Sequence, residues 1–497
     1  MGTHPSGPAM LAVDPTTSLQ DWLEQHSQAL GPTVLKRFGL KLPFLFKVPA
    51  CIAIHQLLLC NLLDSAVSAA ECAVLISVFV VLQVLSVETA LSIQSHPDKE
   101  LAAKLHAQHP EVPHVMLLPS LACACQDADI CHARCIPAEV YVNSCWCADT
   151  NARVLQIYKD SNHKPEMALA ITDFEALCGF VSIQELSQVL RSIPELAAVV
   201  GKRQSQAVHS STSNSGTAQA ALKDAFTALM TADQKSVAEQ VELLDDRLQQ
   251  QQKLTAKERL IMRLHQQYPH DVGVLSVFFL NLILLKPGQA IYLPANEPHA
   301  YVSGQLVECM ATSDNVIRAG LTPKLRDTTI LCESLTYSQG PPVMLHGDLV
   351  QEYTTVYSPP FDEFEVYKVS LPESADTIIP ANQGPTVVLV MRGRGNVTAT
   401  AALKASALEE QTRVSKGDIF FVPSHTALDV AAGSAQDLEL WIAACNSKIF
   451  ESQFALPEGL VNGDKLANGH KAANGHKLAN GRKVSNGHIV VKSAIAV

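Results

Sequence analysis

PGQAIYLPANEPHAYVSGQLVECMATSDNVIRAGLTPKLRD, residues 287–327, decides how the rest of the chain is read. Pro287-Gly288 is a turn signal. Ala290 to Leu293 is a short apolar run that reads as a strand. Pro294 and Pro298 take the chain out of the ladder into a loop or edge segment, because proline has no amide proton to donate. His299 follows at once, and Tyr301, Val302, Leu306 and Val307 resume strand character across a turn at Gly304. A histidine set by a proline-stiffened loop at the mouth of β-structure is placed as a metal ligand would be. Taken alone, a lone strand histidine reads rather as a hydrogen-bonded core or surface residue, and the surrounding text changes this. Beyond it, Glu308, Arg318, Lys324 and Arg326 put charge among apolar residues.

Two stretches upstream bear on that choice. Leu91 to Lys99 reads LSIQSHPDK. On a strand, residues two apart project from the same face, so Gln94 and His96 present an amide oxygen and an imidazole nitrogen together. Asn162 to Ala170, NHKPEMALA, offers Glu166 at a strand start. Each motif alone is weak and has an ordinary structural reading.

The order and length of these motifs change the balance. Asn296 to Tyr301, Val307 to Ala311 and Ser313 to Lys324 resemble the signature of type I phosphomannose isomerases, a zinc-dependent cupin family. The resemblance implies a mainly β fold with a helical insertion: two cupin-type jelly-roll barrels plus an α-helical domain. It implies one Zn2+ per subunit, held by Gln94, His96, Glu166 and His299. Two nitrogens and two oxygens suit zinc, with room for water or substrate. It implies aldose–ketose isomerisation of mannose 6-phosphate and fructose 6-phosphate, feeding GDP-mannose synthesis. Glu308 is then the leading base and Arg318 the group that stabilises enediolate charge. Ser92, Lys99, Lys164 and Lys324 are the cations and hydroxyls available to substrate and its phosphate. His163 lines the site.

Composition fits this picture. The chain has 497 residues and a net charge of −11, which argues against a general nucleic-acid binder. Of 13 cysteines, nine fall between 51 and 147, and only Cys178, Cys309, Cys332 and Cys445 lie elsewhere. Met1 to Gly31 lacks the basic and apolar regions of a secretory signal. A reduced, cytoplasmic, monomeric enzyme that acts on a phosphorylated hexose, with no membrane attachment, is the expectation.

Two segments interrupt the match. Residues 49–83 are apolar, but the uninterrupted run Cys72–Leu85 is shorter than the ~20 residues that span a bilayer, and His55, Gln56, Asp64 and Glu71 break the half before it. In the family pattern Lys47-Val48 continues almost directly into Leu85-Ser86-Val87. Residues 113–157 carry Cys123-x-Cys125, Cys131-x3-Cys135 and Cys145-x-Cys147, a spacing that fits no familiar zinc knuckle. We read both as retained introns translated in frame, a hypothesis that transcript reads containing both segments would sink. The family also has a Tyr-Ala-Trp-Gly-type strand region before the MGTHP-like segment, so Met1 is expected to be an internal methionine.

The remaining text sets the domains. Ser18 to Leu30 reads as a helix with Leu19, Trp22, Leu23 and Leu30 on one face, and Leu42 to Val48 as a strand. Residues 1–170 and 273–349 build the first barrel around a helical domain at 171–272. In that domain Ser182-x-x-Glu185 is a capping box. Ile183–Val200, Ala218–Met230 and Ser236–Tyr268 are helices, with a polar linker at Ser205–Thr217, and Val272 to Leu285 returns to strand. Residues 350–455 form the second barrel. Lys416 to His425 echoes Lys286 to Pro294, each with a glycine, five residues and a proline, an internal repeat of one barrel in the other. His425 has no companion ligands and is structural. From Val461 the chain repeats NGDKLA, NGHKAA, NGHKLA, NGRKVS and NGHIVV, low-complexity text expected to be disordered. Two other readings stay open: a metal-binding cupin without catalysis, and a membrane-associated scaffold if the apolar segment is genuine.

Overall fold

The strand His299–Thr312 is the spine of the first sheet, and every candidate ligand is placed relative to it. The computed structural model describes residues 19–38, 45–47, 79–108, 158–212, 216–401 and 411–451. His299–Ser303 pair with Phe174–Phe180, whereas Leu306–Met310 pair with Glu166–Ala170 on one side and Phe79–Val87 on the other. The expected turn at Gly304 is a bend within one continuous strand. Gly304 has φ 107, and a Cβ there would lie 2.4 Å from the Asp173 carbonyl oxygen. Only glycine meets both demands. The bend lets one strand serve two walls of a ten-stranded sheet.

Period-2 alternation gives that sheet two jobs. Glu166 stands opposite Met310 and Leu293, and Ala168 opposite Glu308 and Ile291. Opposed residues share a face, so Glu166 and Glu308 point with Ala168, Ile291 and Leu293 into the barrel's own core. Met167, Leu169, Val307, Cys309 and Ala311 point the other way.

The second barrel receives them. Its six-stranded sheet runs in the order Asp348–Gln351, Thr354–Tyr357, Glu365–Leu371, Leu438–Ala444, Thr386–Arg392, Ile419–Val422. A four-stranded sheet, Asp376–Ile379, Thr426–Ala432, Arg394–Ala401, Thr412–Ser415, covers it. Val388, Val390, Phe420, Val422, Leu440 and Ile442 face inward. Their neighbours Val387, Leu389, Ile419, Phe421, Trp441 and Ala443 face the first barrel, and Trp22, Leu23, Leu30 and Val34 join that shared core. The N-terminal stretch is not one helix. It is Leu19–Gln25, a 3-10 turn Ser27–Leu30 and a helix Pro32–Phe38, broken at His26, which has φ -129 and ψ 49, and again at Gly31, which has φ 77.

The echo between the barrels extends to backbone geometry. Gly288 and Gly417 have φ 85 and 96, and a strand begins two residues after each, at Ala290 and Ile419. Two residues after each following proline, Asn296 and His425 both take left-handed φ, 61 and 60.

Helices fill Ile183–Ser276, with more breaks than the sequence reading gave. Ile183–Ser192 and Pro194–Val200 are separate, because proline fits the first turn of a helix and ends the one before it. Ser182 Oγ accepts from Glu185 N at 3.2 Å, but the Glu185 carboxylate goes to Lys257 at 2.7 Å instead of closing the box. The complete box is Thr255 with Glu258, which starts Ala256–Gln267 and divides the expected Ser236–Tyr268 helix. Part of the expected polar linker is helix Lys202–Ser210. Residues 171–182, read as helical, hold the strand Phe174–Phe180. Val272–Ser276, read as strand, is helix, and strand begins at Leu280.

Leu45–Lys47 does not run on into Leu85. The place beside the long strand belongs to Phe79–Val87, and Leu45, Phe46 and Lys47 lie parallel to Val81, Leu82 and Gln83. Residues 48–78, 109–157 and 452–497, including the cysteine pairs and the repeat tail, lie outside the described residues. Among the described residues no helix is long and apolar enough to cross a membrane. Cys178, Cys309, Cys332 and Cys445 are free and buried.

Candidate metal centre

Three strands and one loop converge inside the first barrel. Glu166 opens its strand with a side chain 1% exposed, and His96 and His299 are 2% exposed. His96 Nε2 lies 3.1 Å from Glu166 Oε1, and His299 Nε2 lies 3.4 Å from Glu166 Oε2. A tetrahedral ion with bonds of about 2.0–2.1 Å sets its ligand atoms about 3.3 Å apart. His96 Nε2, Glu166 Oε2 and His299 Nε2 are buried without hydrogen-bond partners. Buried polar atoms are ordinarily satisfied, so three orphans facing one point fit a cation.

The remaining ring nitrogens are occupied. His96 Nδ1 donates to the Asn315 carbonyl at 2.7 Å, and His299 Nδ1 to the Glu297 carbonyl at 3.1 Å. These bonds fix the tautomers that leave both Nε2 lone pairs free. Burial lowers the His96 pKa more than Glu166 raises it, which keeps the imidazole neutral. Burial pushes the Glu166 carboxyl up, but the Lys164 ammonium and the two imidazoles set against it outweigh burial and hold it well below the usual carboxylate range. Neutral imidazole and ionised carboxylate are the forms a metal requires.

Gln94 stands opposite both His299 and Arg318 and therefore shares their face. Its Oε1 accepts from Ser92 Oγ at 3.3 Å. Arg318 is half-buried on Ile317–Gly320, and burial lowers its pKa. Lys164 Nζ lies 3.1 Å from Glu166 Oε1. Burial pulls the Lys164 ammonium down, yet Glu166 and Glu308 outweigh it and raise its pKa. Glu308 is 4% exposed, on the same face as Glu166, and its charge helps push the Tyr301 phenol up. Lys99 and Lys324 are exposed, on the first turn of Lys99–Gln108 and beyond the Arg318 strand. His163 Nε2 lies 2.7 Å from Glu363 Oε1, in the loop between Thr354–Tyr357 and Glu365–Leu371, and the charge of Lys99 also acts on that carboxyl.

Several supports escaped the sequence reading. Asn315 Nδ2 donates to the carbonyls of Asp160 and Asn162, which aims the Asn315 carbonyl at His96. Asn296 N donates to the His96 carbonyl at 2.7 Å and Asn296 Nδ2 to Asp98 at 2.6 Å, which joins the two histidine segments. The Glu297 carboxyl, pushed up to about 7 by burial, accepts from Thr336 Oγ1. The signal for Asn296 was its place after Pro294. The others had none, since their partners lie far along the chain.

Two jelly-roll barrels, one enclosing a nitrogen and carboxylate cage, define a cupin. The chain belongs to the type I phosphomannose isomerase family. It matches the family's catalytic domain at residues 64–122 and 141–183, its helical insertion domain at 199–280 and its C-terminal domain at 355–402. It is 38% identical over 455 residues to mannose-6-phosphate isomerase 1 of Arabidopsis thaliana, covering 90% of this chain and 84% of that one. It is 34% identical over 461 residues to the mannose-6-phosphate isomerase of Bos taurus, covering 90% and 88%. The apo crystal structure of mannose 6-phosphate isomerase from Salmonella typhimurium superimposes with TM-score 0.62 at 21% identity over 90% of both chains. The fold is shared at that distance.

Proposed function

We propose that this chain interconverts D-mannose 6-phosphate and D-fructose 6-phosphate, with one zinc ion in the cage of the first barrel. The observation that carries the reading is the convergence of the orphaned His96, Glu166 and His299 atoms in a chain 38% identical to a named mannose-6-phosphate isomerase. His96 Nε2, His299 Nε2 and Glu166 would hold the ion, with Gln94 completing the set. Such an ion supplies polarisation of the sugar oxygens at C1 and C2.

The protein's own groups do the rest. Glu308 takes the C2 proton of the open-chain aldose and returns it to C1 on the same face, through a cis-enediol, while the hydroxyl proton of O2 passes to O1. Arg318 offsets the negative charge that develops as the proton leaves. Lys164, buried against Glu166, meets the sugar end. The exposed Lys99 and Lys324, with the Ser92 hydroxyl, are the phosphate groups' partners. The chain works as a monomer in the cytoplasm.

The test is conversion of mannose 6-phosphate by the full chain in D2O. Fructose 6-phosphate with deuterium at C1 is the expected product, since a carboxylate base exchanges its proton with solvent. Zinc retained without turnover would refute the reading and leave a binding-only cupin.

A further inference from the structure

A second cluster of metal-binding side chains lies in the helical region. Glu242 is on helix Gln234–Gln249, and His265 is in the last turn of Ala256–Gln267. His270 follows that helix with φ 62, a left-handed conformation that costs a non-glycine residue energy. The bend brings its ring back toward His265, with centroids 5.6 Å apart. His270 Nδ1 is 3.3 Å and His265 Nε2 is 3.7 Å from the same oxygen, Glu242 Oε1. One ligand atom from each of the three residues falls within 4.8 Å of the others.

Two further observations turn a cluster into a site. His270 Nδ1 is buried and lacks a hydrogen bond, the condition it shares with the imidazole nitrogens of the first cage. Asp245, three residues after Glu242 and so on the same helix face, places Oδ2 3.8 Å from His265 Nδ1, the other ring nitrogen. At that separation it accepts no hydrogen bond from the ring, but its negative charge favours a cation at the cluster. Gln249 Nε2 holds that carboxylate with a 2.6 Å bond.

We propose that Glu242, His265 and His270 bind a second divalent ion of the zinc class, with the Asp245 carboxylate adding negative charge beside His265. The donor set, two imidazoles and one carboxylate, suits zinc and leaves a position for water. Glu242 and His270 are half-exposed, so the ion enters from solvent. The ion ties the two helices together at a sensitive point. Asp271, next in the chain, accepts from the backbone amides of Gly273, Leu321 and Thr322. The last two lie between Arg318 and Lys324.

The test is metal content of the full chain, stripped with chelator, reloaded with Zn2+ and freed of excess. Wild type is expected to retain two equivalents, His299→Ala to lose one, and His270→Ala to lose a different one, so that the double variant loses both. Glu242→Gln, at an exposed position that keeps the fold, is expected to lose the same equivalent as His270→Ala. Cobalt loading gives a second readout, a d–d band absent from His265→Ala but present in His299→Ala. Unchanged zinc content in both His270→Ala and Glu242→Gln overturns the proposal. So does a wild-type chain whose whole zinc content disappears with His299→Ala. Failure of the first cage would show separately, as zinc content unchanged in His299→Ala.

Discussion

Arg318 is the residue whose role is most open to a kinetic test. It shares a face with Gln94 and His299 and is half-buried, where a charge acts strongly on a developing anion. Arg318→Ala is expected to lower kcat about 10²–10³-fold and to raise KM far less. Equal losses in kcat and in substrate affinity would remove the role. A second residue prediction concerns stability. Glu195 accepts two hydrogen bonds from Arg247, at 2.7 and 2.8 Å. Burial pushes its carboxyl up, but the Arg247 bonds overrule that and lower its pKa. A lowered carboxylate pKa stabilises the fold above the unfolded value, about 4.3, and the contribution is lost as pH falls through the folded value. Glu195→Gln is expected to cost about 1.5–3 kcal/mol at pH 7, with the gap to wild type closing below about pH 4. Urea midpoints measured across that range check it, and a gap independent of pH would count against the pairing.

The element that governs the site is the bent strand His299–Thr312. Gly304→Ala forces a Cβ to 2.4 Å from the Asp173 carbonyl oxygen at φ 107. Backbone strain alone is worth about 1–3 kcal/mol, and a matching fall in the urea midpoint is expected; an unchanged midpoint would mean the bend relaxes freely. At this scale the sequence shows why some features were legible. The three cage residues sit in short motifs whose text is local: a histidine two after a glutamine, a glutamate at a strand start, a histidine after a proline. Their supports are long-range. Asn315 reaches Asp160, His163 reaches Glu363 and Asp271 reaches Leu321, and no local pattern encodes such pairs. The helix breaks were missed for a different reason. The apolar period runs on across Ile193, and the polar run Gln249–Lys253 contains no helix breaker, whereas the stops are set by Pro194 and by the Thr255 cap. Val272–Ser276 has no polar face and is buried throughout, and a short run of that kind does not distinguish a buried helix from a strand.

Among the described residues the two barrels share an apolar core, and the alternation that faces Glu166 and Glu308 inward turns Met167, Leu169, Val307 and Cys309 onto the second barrel. The first sheet also has an odd edge. Leu45, Phe46 and Lys47 lie beside Val81, Leu82 and Gln83, the residues they would replace if Val48 were joined to Leu85. LFKV and VLQV share an apolar, apolar, polar, apolar order, so the substitution keeps inside and outside in phase. A chain lacking residues 49–84 is therefore expected to fold, to keep its cage zinc and to match or exceed the turnover of the full chain. Aggregation or zinc loss in that variant would show that Phe79–Val84 is needed where it stands. The left-handed corners at Asn296 and His425 reach further. Three residues past its corner the first barrel carries His299 at the cage, and the second carries Leu428 in its core at the same offset. One backbone plan thus serves two ends: a polar side chain at that offset leaves room for an ion, and an apolar one fills the barrel with packing.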